Sequence, residues 1–170
     1  MLRPFKAVRP TRDKAYLVAT RSYITYGAEE LDDKLENNPY TFLHVINPNA
    51  LPEANYKDRF KAVRSRYDRF EKEDIFIQEA QSTYYLYEQK TPSATYTGVI
   101  GLLDAESVVN GTTLPHEKTI AKREHIFARY LSITGFQAEP VLVFGEADEH
   151  YDRLVNRIRY SFDLFESFKP

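Results

Sequence analysis

The sequence has no cysteine and no tryptophan, and it has only one methionine among its 170 residues. The absence of cysteine excludes a disulfide framework, thiolate catalysis and thiolate zinc sites. Long apolar runs are also missing: the longest, such as residues 99–103, have the length of a strand, whereas a membrane-spanning helix needs about 20 apolar residues. The first residues carry no apolar segment of the signal-peptide kind. We therefore expect a cytoplasmic protein without membrane contact.

An excess of charge of one sign is also absent, since 23 basic residues face 25 acidic ones and the net charge is −2. This balance argues against a nucleic-acid partner. Hydrophobic residues make up 42% of the chain and aromatic residues 14%, which predicts a folded protein because disordered chains are poor in both. The length fits a single domain over residues 1–170.

Periodicity and turn residues predict an α+β fold, with a mixed sheet, at least one β-hairpin and helices packed on the sheet. The clearest helix covers residues 55–74, where Tyr56, Phe60, Val63, Tyr67 and Phe70 recur at spacings of three and four and so share one face. Other helices are expected at residues 28–36, 118–134 and 149–168. Strands are expected at residues 14–19, 41–46, 83–89, 96–105 and 140–145, with the third and fourth joined as a hairpin.

The densest polar cluster lies at residues 116–125 (HEKTIAKREH), where a loop leads into a predicted helix. His116, Glu117 and Thr119 would lie at the helix N-terminus, which suits a phosphate or carboxylate, and Lys122 and Arg123 would follow one turn later. A carboxylate such as Glu117 beside these cations could act as a general base or hold Mg²⁺. The bland alternative is a capped, solvated helix end, and residue type alone leaves both open.

Other motifs are weaker or absent. The cluster is not an HExxH zinc motif, because Ile120 stands four residues after His116. His44, inside the apolar run TFLHVI, is a further candidate ligand-binding residue, although an isolated histidine in such a run is more often a hydrogen-bonded core residue. The phosphate-binding loop GxxxxGK[ST], the dinucleotide fingerprint GxGxxG and the nucleophile elbow GxSxG are all missing.

Six segments, taken in order, resemble a known family. They are residues 3–10 (RPFKAVRP), 22–31 (SYITYGAEEL), 37–48 (NNPYTFLHVINP), 97–104 (TGVIGLLD), 116–119 (HEKT, an HExT motif) and 138–146 (AEPVLVFGE). Together they are similar to the N-terminal part of the bacterial and archaeal domain-of-unknown-function family ten-fifteen. Two positions depart from the family pattern: Ile24 stands where many members carry aspartate, and no Asp-Arg pair follows the HExT motif near His125.

The resemblance implies a small-molecule kinase-like domain that acts on free serine or a similar hydroxyl compound, with Mg²⁺ and a nucleotide as cofactors. Glu117 would be the base or the magnesium carboxylate and His116 a polar contact, while Thr119, Lys122 and Arg123 would be phosphate contacts. Family members are longer, and their later part resembles the ParB and free-serine-kinase group. We therefore expect this chain to be the N-terminal part of a longer protein.

A non-catalytic role stays open beside this one. The chain could bind a ligand, associate with a missing C-terminal part or associate with itself. DNA binding through the ParB-like resemblance is a third possibility, against which the net charge of −2 argues.

Overall fold

The computed structural model of the chain describes residues 2–46, 55–115, 120–146 and 148–161, with Lys122 described by its backbone alone. Its elements in chain order are β1 (Leu2–Arg3), β2 (Val8–Pro10), α1 (Ala15–Val18), a 3₁₀ turn (Tyr23–Thr25), α2 (Ala28–Asn37), α3 (Leu43–Ile46), α4 (Tyr56–Lys72), β3 (Phe76–Gln78), β4 (Tyr85–Lys90), β5 (Thr95–Ile100), β6 (Leu102–Leu103), α5 (Ala105–Val109), α6 (Ala121–Thr134) and α7 (Glu149–Ser161). The α+β class is confirmed. In place of the predicted mixed sheet, the described strands form three two-stranded antiparallel ribbons, because each strand has one hydrogen-bonded neighbour: β1 with β6, β2 with β3, and β4 with β5.

The chain divides into two compact units. The first unit comprises residues 1–7, 79–118 and 138–165, and the second comprises residues 8–78, 119–137 and 166–170. The expectation of one domain over residues 1–170 stays a prediction.

Helix α4 builds the core of the second unit. Asn55 caps its N-terminus, because the Asn55 side chain accepts a hydrogen bond from the backbone N–H of Asp58 at 3.1 Å. The predicted apolar face is confirmed at Val63, Tyr67 and Phe70, which are buried, whereas Tyr56 at its N-terminal end is 55% exposed. The core cluster consists of Val18, Val45, Val63, Tyr67, Phe70, Ile75 and Phe76.

Two predicted strands of this unit are helices instead. Residues 14–19 contain α1, whose buried residues Ala15 and Val18 are three apart, the spacing that one helical turn places on one side. Residues 41–46 contain α3, where the backbone N–H of Val45 donates to the carbonyl of Phe42 at 2.9 Å. Both strand predictions were wrong because tertiary packing overrode the local preference of short apolar runs.

The remaining ribbon of the second unit includes a strand that the sequence did not predict. Strand β3 pairs antiparallel with β2, with Arg9 opposite Ile77. The chain enters β3 from α4 through Asp74, which has a positive φ of 51°. An aspartate tolerates this left-handed conformation better than most residues, so the turn fits directly after the helix.

The first unit contains the predicted hairpin. Strands β4 and β5 pair antiparallel from Tyr85 opposite Ile100 to Lys90 opposite Thr95. In contrast to the second unit, its described part buries few apolar side chains, and Val155 of α7 is its one buried hydrophobic residue. Its described elements are therefore held mainly by ribbon pairing and by contacts at their surfaces.

The segment at residues 140–145 does not form the buried strand that its sequence predicts. It is not part of any of the three ribbons, and its apolar side chains are mostly exposed, with Val141 76% and Leu142 77% accessible. A strand requires a partner for its backbone N–H and C=O groups. The sequence reported the β-preference of the segment correctly, but it could not report whether such a partner is present.

The other helix predictions are confirmed in the described residues. Helix α2 matches its predicted range to within one residue, and α6 ends, as predicted, at Gly135, which has the left-handed φ of 70° that favours glycine. Helix α6 begins at Ala121, three residues later than predicted, and the predicted end of α7 at residue 168 falls outside the described residues.

The phenol of Tyr67 makes the second unit less stable at alkaline pH. Burial, reinforced by the carboxylate of Glu71, raises the pKa of Tyr67 from 10.0 to about 12. Because the folded state holds the proton more tightly than the unfolded state, the stabilisation is complete below pH 10 and is lost as the pH rises towards 12.

We therefore expect the free energy of unfolding in urea to fall more steeply above pH 10 in the natural protein than in Tyr67→Phe. Measurements at pH 9 and pH 11 on both proteins isolate this residue, since the remaining tyrosines are common to both. Parallel pH profiles would contradict the expectation.

Candidate functional site

The predicted polar cluster is only partly within the described structure. His116, Glu117 and Thr119 lie outside the described residues. Helix α6 begins at Ala121, and its N-cap residue Ile120 provides no side-chain hydrogen bond to the helix end. Lys122 and Arg123 fall in the first turn, not one turn later as predicted, because the helix begins at Ala121, and Arg123 is exposed. The roles assigned to these five residues stay predictions.

Contacts with α4 fix the opposite end of α6. Arg64 of α4 donates from Nη1 to the carbonyl oxygen of Thr134 at 2.9 Å, and the ring of Phe60 meets that of Tyr130 edge-on at 5.3 Å. A cation at a helix C-terminus also complements the helix dipole. Because α6 is held along its packed face, the direction of its N-terminal turn is set by the core of the second unit.

The surroundings of His44 are those of a residue that stabilises the fold. Its ring nitrogen Nε2 donates to the carbonyl oxygen of Asn38 at 3.0 Å, and it sits on α3 between two fully buried residues, Leu43 and Val45. The Asn38 side chain in turn donates to the carbonyl of Leu17 at 2.7 Å. His44 therefore helps to close the turn at residues 37–42. Its ligand-binding role stays a prediction.

A second polar constellation lies in the first unit. Five side chains line an open depression of about 500 Å³ on the β4–β5 hairpin beside α7. Glu88 and Lys90 lie two apart on β4, and directly opposite them on β5 lie Thr97 and Thr95. Since alternate residues of a strand share a face, all four side chains point to the same side. Arg159 of α7 is the fifth.

The contacts within this depression centre on Glu88. One carboxylate oxygen accepts from Arg159 Nη2, and the other lies 3.1 Å from Lys90 Nζ. Arg159 Nη2 also donates to Thr97 Oγ1 at 2.6 Å. The hydrogen bond from Lys90, followed by the charge of Arg159, lowers the pKa of Glu88. The carboxylate therefore stays ionised, and the group of five side chains carries a formal charge of +1.

Sequence reasoning did not identify these five residues. The alternation of the hairpin was a usable signal, because residues 88 and 90 share a face with residues 95 and 97 once the register is known. Arg159, however, is 71 residues from Glu88 along the chain. Its contact with the hairpin could not be inferred from spacing.

The described residues contain neither a cluster of metal ligands nor a membrane-spanning helix. No group of three or more His, Asp or Glu side chains among them is placed to hold a metal ion. None of the described helices combines the length and the apolar character needed to cross a bilayer.

Comparison with known proteins gives one result. No curated protein and no solved structure matches the chain significantly. A family model described as "Protein of unknown function (DUF1015)" matches residues 2–166. That match covers nearly all of the chain and includes every segment in which the resemblance was recognised, and the chain therefore belongs to the DUF1015 family.

Proposed function

We propose that this chain is a small-molecule phosphotransferase-type domain, kinase-like in character, which binds a nucleotide with Mg²⁺ and acts on a small hydroxyl compound such as free serine. The supporting observation is the position of Lys122 and Arg123 in the first turn of α6, directly after the HExT motif. A helix N-terminus with two basic residues favours a phosphate group through its free N–H groups and its dipole.

In this proposal Glu117 accepts the proton of the substrate hydroxyl or holds Mg²⁺, and His116 makes a polar contact. Lys122 and Arg123 stabilise the negative charge on the transferred phosphoryl group, and Thr119 contacts phosphate. Catalysis of phosphoryl transfer rests mainly on positioning and on such charge stabilisation. Bound Mg²⁺ would supply a Lewis acid for the phosphate oxygens.

Thermal-shift titrations with ATP, ADP and pyrophosphate, each with and without Mg²⁺, test the proposal. A ligand at 100 times its Kd adds about 2.7 kcal/mol to the stability of the folded state, which corresponds to a shift of several degrees for a protein of this size. We expect a saturable shift that depends on Mg²⁺. Glu117→Gln should remove the magnesium dependence if Glu117 is the metal ligand.

If Glu117 is instead the base, Glu117→Gln should lower turnover at least about tenfold while the ligand still binds. The matched control is Glu106→Gln, which removes an exposed carboxylate from α5 of the first unit. Equal effects of the two substitutions, on both binding and turnover, would rule out the assignment of Glu117.

A second function, assembly with another polypeptide, has its own supporting observation. Four consecutive apolar residues, 141–144, are each more than half exposed, and the described part of the first unit buries only Val155 among its hydrophobic residues. Contiguous exposed apolar residues of this kind are typical of interaction sites. The absence of any thermal shift with all three phosphate compounds would favour this second function over the first.

A further inference from the structure

We propose that the depression on the β4–β5 hairpin is a binding site for the phosphate group of a small molecule, held by Lys90, Arg159, Thr95 and Thr97. This inference goes beyond the proposed function. It concerns side chains other than those of residues 116–123, here called the HExT region, and it does not depend on nucleotide binding or phosphoryl transfer.

The two basic side chains of the depression have hydrogen-bond donors left for a ligand. Among the described residues, every recorded hydrogen bond of the Arg159 side chain leaves from Nη2, so that Nη1 and Nε remain as donors. The Lys90 side chain is 73% exposed, and Glu88 is the partner of its ammonium group within the described residues, which leaves ammonium protons to donate. Guanidinium and ammonium groups form the strongest hydrogen bonds to phosphate oxygens.

The hydroxyl groups of Thr95 and Thr97 can also donate hydrogen bonds to a ligand. Thr97 Oγ1 accepts a hydrogen bond from Arg159, so its own proton is available to donate to a ligand. Thr95, two residues earlier on the same face of β5, has no hydrogen bond recorded for its side chain within the described part of the chain. The depression therefore offers two hydroxyl donors beside two cations.

Glu88 positions the two basic side chains of the depression. Each of its carboxylate oxygens holds one cation, so Glu88 keeps Lys90 and Arg159 close together although their charges repel. Its own charge is smaller than the sum of theirs, and the net charge of +1 still attracts an anion. Glu88 is thus a positioning residue, and it reduces the entropy lost when the two basic side chains become ordered on a ligand.

The size of the depression and its access to solvent fit a small ligand. The depression has a volume of about 500 Å³ and is open to solvent, which suits a small metabolite carrying one phosphate group. Its lining is mostly polar, and all five side chains are charged or hydroxyl-bearing. An apolar ligand is therefore disfavoured, and the specificity would come from charge and hydrogen bonding.

The test is a calorimetric titration of the whole chain with inorganic phosphate and, separately, with succinate, at constant ionic strength set with sodium chloride. We expect phosphate to bind saturably and Lys90→Gln and Arg159→Gln each to weaken it at least about tenfold. Thr97→Val should weaken it by a smaller factor. Arg157→Gln is the matched control, because it removes the same charge from the exposed surface of the same helix.

The outcomes separate this site from the HExT region. Phosphate binding that persists in Lys122→Gln and Arg123→Gln but is lost in Lys90→Gln supports the proposal. Loss in Lys122→Gln with full retention in Lys90→Gln would place the only phosphate site in the HExT region and overturn it. Saturable binding of succinate without phosphate would overturn it in favour of a carboxylate site, and equal weakening by Arg157→Gln would reduce it to non-specific attraction.

Because Arg159 also links α7 to the hairpin, its substitution could act by loosening the unit. Lys90→Gln and Thr97→Val address this, since neither removes the contact between Arg159 and Glu88. Far-ultraviolet circular dichroism and the urea midpoint of each variant are recorded beside the titration. Weaker phosphate binding in Lys90→Gln with an unchanged midpoint supports a direct contact, whereas natural binding in that folded variant overturns it.

Discussion

Replacing Phe70 by alanine is expected to lower the free energy of unfolding by about 3–5 kcal/mol. Phe70 has no accessible surface, and its ring centroid lies 5.2 Å from that of Phe76 in the core of the second unit. Its removal from α4 leaves a cavity that the surrounding side chains cannot fill without distortion, and aromatic contacts are lost as well. A loss of this size is a large part of the total stability of a typical domain, which is about 5–15 kcal/mol.

Urea unfolding followed by circular dichroism measures this effect. The control is Ile24→Ala, which truncates a side chain that is 76% exposed on the 3₁₀ turn of the same unit. We expect the control to change the free energy of unfolding by less than about 0.5 kcal/mol. Similar small losses in both variants would mean that α4 does not form the centre of the core.

Val45→Asp is expected to be at least as damaging, at more than about 4 kcal/mol, and to prevent stable folding of the second unit. Val45 of α3 has no accessible surface and belongs to the core cluster. An aspartate there would bury a charge among apolar side chains without a partner, and such a charge is among the most destabilising single changes.

The neighbouring substitution His44→Asp is the matched control, since it introduces the same residue one position earlier. His44 is half-buried, and its described hydrogen bond is the one to the carbonyl of Asn38. Losing it should cost about 0.5–1.5 kcal/mol. A folded Val45→Asp protein, or equal losses at the two positions, would contradict the packing of α3.

The segment at residues 41–46 shows how a correct pattern can predict the wrong element. Thr41, Leu43 and Val45 are buried, while Phe42, His44 and Ile46 between them are partly accessible. This alternation is what a half-buried strand shows. The backbone is nevertheless helical from Leu43 to Ile46, because the short turn lies against α1 and α4 and can bury both sides. Burial was therefore predictable here, and backbone conformation was not.

For the HExT region, the sequence predicted local features of the helix but not the relative positions of the candidate residues. The sequence predicted a helix that ends at Gly135, and this is confirmed. It placed Lys122 and Arg123 one turn after the helix start, whereas the helix begins at Ala121 and both residues lie in its first turn. Such features are local, because they depend on residues within a few positions of one another. The mutual geometry of His116, Glu117 and Lys122 depends on tertiary placement, and it stays a prediction.

The sequence by itself determined the α+β class, the long amphipathic α4, the β4–β5 hairpin and membership of the DUF1015 family. Each follows from periodicity, from turn residues or from ordered motifs, which are readable along the chain. Only the tertiary structure decided that residues 14–19 are helical, that residues 140–145 lie exposed, and that Arg159 meets Glu88. These outcomes depend on which distant groups supply hydrogen bonds and cover apolar surface, and no local pattern records those partners.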